Sequence, residues 1–195
     1  MSTIAAEITA NAARWTKCEI TPSRKAEVEK IAQAIFSFKN VYQAVESATE
    51  VPWWFVGIVH SLEADLNFND SLAQGDPWNK RSRHVPKGRG PFKSFLAAAI
   101  DALVNCAPYA ARWKDWSIGG ALTLFEEYNG LGYDTVHHEA SPYVFGATNQ
   151  EQRGKYDSDS HWDAGMWDTQ IGCAALLKAL MALDTTIKFI ETVPK

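Results

Sequence analysis

An apolar helix that ends near a carboxylate and runs into a loop broken by Gly and Pro constrains this chain more than any other feature. Trp53, Val56, Val59, Leu62 and Leu66 recur every three or four positions, the spacing that gathers side chains on one face of an α-helix. Glu63 lies seven residues after Val56, four after Val59 and three before Leu66. It is therefore expected on or beside the buried face, close to the helix end. From Asn67 to Pro91 the periodicity stops. Asn69-Asp70, Gly75-Asp76-Pro77, Pro86, Gly88 and Gly90-Pro91 interrupt the chain there. This segment is expected as a small polar lobe, either an irregular loop or a short β-hairpin. It carries Lys80, Arg81, Arg83, Lys87, Arg89 and Lys93, which form a solvated face or attract an anionic polymer.

The rest of the chain reads mainly as helices. Ile4–Lys17 is amphipathic, and Thr21-Pro22-Ser23 opens a second helix that runs to about Lys39. Val41–Thr49 is a short third helix, and the apolar stripe above belongs to a fourth. Phe92–Asn105, Ile118–Tyr128 and Thr169–Leu183 follow, the middle one stopped by Asn129-Gly130. Residues Leu131–Asp168 have little periodicity and many aromatics, as expected of a long functional or partly structured loop. Asp184–Lys195 reads as a short extra helix. The expected fold is mostly α: a helical bundle lobe and a small irregular lobe flanking a cleft. At 195 residues the chain is expected to form a single catalytic domain, 1–195. Residues 1–50 would pack on it as helices, and 67–91 would be the polar active-site lobe.

Charge and residue types exclude several functions. A net charge of −4 is wrong for a nucleic-acid binder. Three cysteines, Cys18, Cys106 and Cys173, allow at most one disulfide and have no zinc spacing; buried reduced thiols are expected. His137-His138-Glu139 lacks the HExxH arrangement, and Asp157 and Asp159 lack a full calcium-loop pattern. No metal or other cofactor is expected, and no P-loop or dinucleotide fingerprint occurs. The N-terminus lacks the basic and apolar regions of a secretory signal, and no apolar run is long enough to span a membrane. A monomer made in the cytoplasm, without stable membrane insertion, is expected. The eight Trp suit a core and a groove for a flat, partly apolar ligand such as a sugar ring.

Glycosidic hydrolysis needs an acid to protonate the leaving oxygen and a second carboxylate as base or nucleophile. Burial and the negative end of a helix dipole both favour a protonated carboxyl, so Glu63 is the candidate acid. Asp76, in a polar loop, is expected to stay ionised. Alone it equally suits an Asx-turn residue, and Asp65 and Asp70 compete with it on spacing. His60, three residues before Glu63, either hydrogen-bonds it or packs in the core.

These residues carry a family resemblance. HSLEADLNFN followed by QGDPWNKRSRHVPKGRGP resembles the active-site region of phage and prophage endolysins of the lysozyme superfamily. Glu63 matches the catalytic Glu of phage-type lysozymes and Asp76 the Asp that follows it. Ser82, six residues after Asp76, stands where those enzymes have Thr, and the gap from Glu to Asp is longer here. EEYNGLGY, Glu126–Tyr133, resembles a cleft-lining segment of lytic transglycosylases and goose-type lysozymes. SPYVFGATN and the Gly154–Tyr156 segment resemble a further stretch of the endolysins. The resemblance covers about Val51–Leu180. It implies a lysozyme-like fold cleaving the MurNAc-GlcNAc β-1,4 bond of bacterial peptidoglycan at the cell wall after release. Glu63 would be the general acid, Asp76 the base or charge stabiliser, and Ser82 the holder of the water. His60, Tyr128, Asn129, Gly130, Tyr133 and Tyr143 would contact the sugar, the aromatics equally suiting the core. Other outcomes open on the same residues are a lytic transglycosylase, a chitinase- or chitosanase-like hydrolase, or an inactive wall-binding module.

Overall fold

Apolar residues spaced by three and four build helices, and the computed structural model of the chain is mostly helical. It describes residues 4–73, 75–137, 139–158 and 161–189. His138, Asp159 and residues 190–195 lie outside that set. The helices are α1 (Ile4–Lys17), α2 (Lys25–Ser37), α3 (Lys39–Thr49), α4 (Trp53–Ala64), α5 (Phe95–Asn105), α6 (Ile118–Asn129), α7 (Pro142–Phe145) and α8 (Cys173–Leu183). Two 3-10 turns, Pro22–Arg24 and Ala110–Arg112, and a π-helical segment, Tyr133–His137, complete the helical set. The chain divides into two units, Met1–Ala32 with Asp115–Lys195, and Gln33–Lys114, the division falling within α2.

In the first unit α1 lies along α6. Two glycines open α6, and a Cβ on Gly119 would strike the Ile8 carbonyl oxygen and come 3.1 Å from the Ala12 Cβ. The backbones of the two helices meet there because nothing larger fits. Asn11 is buried in this contact, and its Nδ2 donates to Thr123 Oγ1 at 3.1 Å and to Glu126 Oε2 at 3.3 Å. Ser117 caps α6, its hydroxyl accepting from the Gly120 N–H at 3.2 Å. Leu122, Phe125, Phe145, Leu176 and Leu177 form the fully buried centre with α7 and α8. The segment 131–168 is partly structured, as expected. It holds the π-helical turn, α7 and an antiparallel ribbon of β1 (Lys155–Ser158) and β2 (His161–Asp163).

In the second unit α3 packs on α4 and α5. Helix α4 is buried on every side from Trp53 to His60, broader than the one stripe expected. It stops at Ala64, two residues before the expected end, because Asp65 and Leu66 adopt left-handed backbone with φ of 48° and 58°. Residues 67–91 form the irregular lobe. Among the described residues there, pairing of strand type is limited to a bridge between Asp70 and Pro77. The ribbon described in this chain lies instead in β1 and β2, Lys155–Ser158 and His161–Asp163. Residues 184–189 of the expected terminal helix are not helical.

Gly57 sets how tightly α4 is held. A Cβ at this position would meet Ile35 Cγ2 at 2.5 Å and the Tyr42 ring at 3.1 Å. Gly57→Ala is therefore expected to lower stability by about 1–3 kcal/mol through overpacking, despite the better helix propensity of Ala. Chemical denaturation would check this, and an unchanged or raised midpoint would mean that the contact yields freely.

Candidate active site

Glu63 occupies the last turn of α4, half-buried. Its backbone carbonyl is the point against which the polar lobe closes. A Cβ on Gly75 would lie 2.9 Å from that oxygen, and Gly75 has φ of +64°. Both the close approach and the left-handed backbone require glycine. The Gly-Asp-Pro turn is thereby seated against the end of the helix that carries Glu63.

Asp76, the next residue, is buried, with both carboxylate oxygens engaged. Oδ2 accepts from the backbone N–H groups of Arg83 at 2.8 Å and His84 at 2.9 Å. Oδ1 accepts from His84 Nδ1 at 2.9 Å. The His84 N–H, joined by that of Arg83 and by the His84 ring, outweighs the burial penalty and holds this carboxyl below the ordinary carboxylate range. Asp76 stays ionised, as expected, while acting as a brace. Ser82 is a second brace. Its hydroxyl donates to the Pro86 carbonyl at 2.8 Å and accepts from the Arg89 N–H at 2.9 Å. Arg89 then ties the loop to α5 through Asp101, which it meets with both Nε and Nη2. Asn105 donates to the same carboxylate at 2.9 Å. The sequence does not announce this Arg89–Asp101 pair. Its partners are twelve positions apart, across the lobe's end and the start of a helix, and no local pattern joins them.

His60 is a core residue. It has no exposed surface, so the expected sugar contact is corrected: its ring reaches no ligand. Its Nδ1 lies 2.9 Å from the Tyr42 hydroxyl, and Phe68 and Phe95 pack on it at 4.7 and 4.8 Å between ring centroids. Burial lowers its pKa, so it sits neutral among aromatic rings. Of the alternatives weighed for His60, packing describes the structure.

The remaining predicted contacts belong to the other unit. Asn129 and Gly130 are exposed at the end of α6, and Tyr128 is half-buried beside them. Gly130 has φ of 86°, which suits its place as the helix stop. Tyr133 and Tyr143 are each 5% exposed. They are packing residues first; Tyr133 meets Trp162 edge-on at 5.3 Å. In the same unit Glu151, Asp168, Arg24 and Trp167 line one groove. Glu151, Trp167 and Asp168 fall in the aromatic-rich segment 131–168, where no motif in the sequence marks them as a group. Among the described residues no group of three or more His, Cys, Asp or Glu is arranged to hold a metal ion. No family model, curated protein or solved structure matches the chain.

Two pH windows follow. His60 binds a proton less well folded than unfolded, so its contribution is complete above an ordinary imidazole value near 6.5 and is lost as pH falls through its depressed folded value. Asp76 behaves alike on an acid's scale, its contribution lost from 3.8 downward. Thermal melts across this range are expected to fall in two stages, and a flat profile between pH 7 and 5 would contradict a neutral buried His60. Asp76→Ala, which removes three acceptor contacts, is expected to cost about 2 kcal/mol and to erase the lower stage. An unaltered lower stage in that variant would assign it to other carboxylates.

Proposed function

We propose that this chain is a peptidoglycan glycosidase that cleaves the MurNAc-GlcNAc β-1,4 bond, with Glu63 as its general acid. One observation carries the proposal: a half-buried carboxylate ends a helix that is otherwise almost wholly apolar and buried, and a braced polar lobe closes on its last turn. The resemblance of this region to endolysins of the lysozyme superfamily supports the substrate and a lysozyme-like fold. In this scheme Glu63 gives its proton to the glycosidic oxygen as the bond to C1 breaks. Positive charge develops on the ring that keeps C1 while the other sugar leaves as an alcohol, and water adds at C1, giving up a proton, to complete hydrolysis. The natural role is lysis of a bacterial wall by a phage or prophage, with peptidoglycan as the partner and no cofactor. Among the described residues no helix is long and apolar enough to cross a membrane.

The braced Asp76 bears on the second half of this chemistry. A carboxylate that accepts three N–H groups, with its pKa lowered by them, remains anionic but is a weak base for water. It suits electrostatic stabilisation of the oxocarbenium-like transition state better than proton abstraction. The engaged hydroxyl of Ser82 is likewise a loop brace before it is a water ligand. This favours a second reading, a lytic transglycosylase. There the hydroxyl of the sugar itself attacks C1, Glu63 handles both protons, and a 1,6-anhydro end results.

Glu63→Gln, which cannot donate the proton, is expected to reduce digestion of purified peptidoglycan by at least about 100-fold while leaving the fold intact. Undiminished digestion by this variant would overturn the assignment. Mass spectrometry of the wild-type digest separates the two readings, since hydrolysis leaves a reducing end and transglycosylation an anhydro end.

A further inference from the structure

The first unit has an open groove of about 540 Å³, lined in part by Arg24, Thr148, Glu151, Trp167, Asp168 and Thr169. The volume is in the range of small-ligand sites. Trp167 is 50% exposed, although the largest apolar side chains usually seek the core. The Arg153 guanidinium lies over its ring, 5.4 Å from the centroid, and half of the side chain stays exposed. Arg24 is anchored on two sides, Nε to Glu27 at 2.9 Å and Nη2 to the Thr169 carbonyl at 2.7 Å. Its Nη1 has no acceptor among the described residues. Glu151 holds one oxygen on the Ala147 N–H at 3.0 Å. Asp168 is fixed by Lys155 Nζ and the Gln170 N–H, both at 2.9 Å and both on Oδ1. Donors and acceptors are thus preset around an aromatic plate.

The chemistry of that lining selects its occupant. The groove presents cationic and anionic groups together, so a simple anion meets Glu151 and Asp168, and a simple cation meets Arg24. A pyranose has what remains: an apolar ring face for the indole and a rim of hydroxyls for planar guanidinium and carboxyl groups. The groove also takes in Thr148 at the end of the SPYVFGATN segment, which the proposed catalysis leaves unused. We infer that this groove is a saccharide-binding site in which a pyranose ring stacks on Trp167 and its hydroxyls bond to Arg24, Glu151 and Asp168. The choice of an N-acetylated amino sugar as ligand rests on the glycosidase proposal; the groove itself does not.

The test titrates tri-N-acetylchitotriose into the full chain carrying Glu63→Gln, so that no cleavage intervenes, and follows tryptophan indole N–H resonances by NMR. The Trp167 resonance is identified by its absence from the spectrum of the added Trp167→Phe variant. It is expected to shift with ligand. Trp167→Ala is expected to weaken binding about tenfold, the scale of one lost stacking contact. Arg24→Ala, which keeps the plate, is expected to weaken it as well. The inference is overturned if neither this trisaccharide nor cellotriose binds, or if binding leaves the Trp167 resonance and the Trp167→Ala affinity unchanged. Cellotriose, lacking the acetamido groups, is the second ligand: binding of cellotriose alone keeps the saccharide site and removes the amino-sugar assignment. Digestion of peptidoglycan by Glu63→Gln is scored separately. Full digestion with a responsive Trp167 leaves the groove and removes the catalytic proposal; abolished digestion with a silent Trp167 does the reverse.

Discussion

Burial of α4 is the constraint on which the second unit depends. From Trp53 to His60 every side chain is removed from water, and each large one contributes about 1.5–3 kcal/mol by that removal. A helix apolar on all sides must be covered on all sides. Helix α3 supplies cover, and Gly57 lets Ile35 and Tyr42 approach to where a methyl group would stand. The same apolar character stops abruptly. Ser61, Leu62 and Glu63 are half-buried, and two residues of left-handed backbone end the helix just beyond. Glu63 stands at this boundary because the helix runs out of cover there.

Among the described residues of the polar lobe Leu72 is the large apolar side chain that is fully buried, and directional bonds hold the rest. Asp76 gathers two successive backbone N–H groups, Ser82 joins Pro86 to Arg89, and Arg89 is clamped to Asp101 on α5. Trp78 adds a further tie, its Nε1 donating to the Phe68 carbonyl at 2.7 Å. Each bond is worth only about a kilocalorie net, but losing one partner strands the other, which costs more. An irregular loop of this length keeps one shape because its polar groups satisfy one another.

Helix existence was legible in the sequence because periodicity is local. The spacing of apolar residues gives Ile4–Lys17 to the residue, and α3, α5 and α6 to within three residues at either end. The ends of α4 and α8 were less legible. Asp65 and Leu66 are not usual helix stops, and Thr169-Gln170-Ile171-Gly172 is a non-helical lead-in whose apolar Ile171 extends the pattern of α8. At the site, the boundary position of Glu63 could be read from its spacing to Val56 and Val59. The occupation of Asp76 could not, since its donors lie seven and eight residues away in a segment without periodicity. His60 shows the same limit. Three residues before Glu63 on one helix, it was as consistent with a site as with a core, and Phe68 and Phe95, distant in sequence, decided it.

The spacing from Asp76 to Ser82 admits two physical interpretations, and the hydrogen bonds distinguish what each can contribute. A base must have a lone pair aimed at water and a proton affinity near the working pH. The Asp76 carboxylate has its lone pairs turned toward N–H donors that lower that affinity. What such a group offers a reaction is a fixed negative charge in a place that does not relax when the substrate changes, the form of help that a developing oxocarbenium ion uses most. In the proposed scheme the brace and the electrostatic role therefore do not compete: the same N–H groups that hold the lobe in shape also keep the carboxylate ionised. A proton-transfer role belongs to a carboxyl in the opposite situation, half-withdrawn from water, and the proposed scheme gives that role to Glu63, half-buried at the end of the apolar α4.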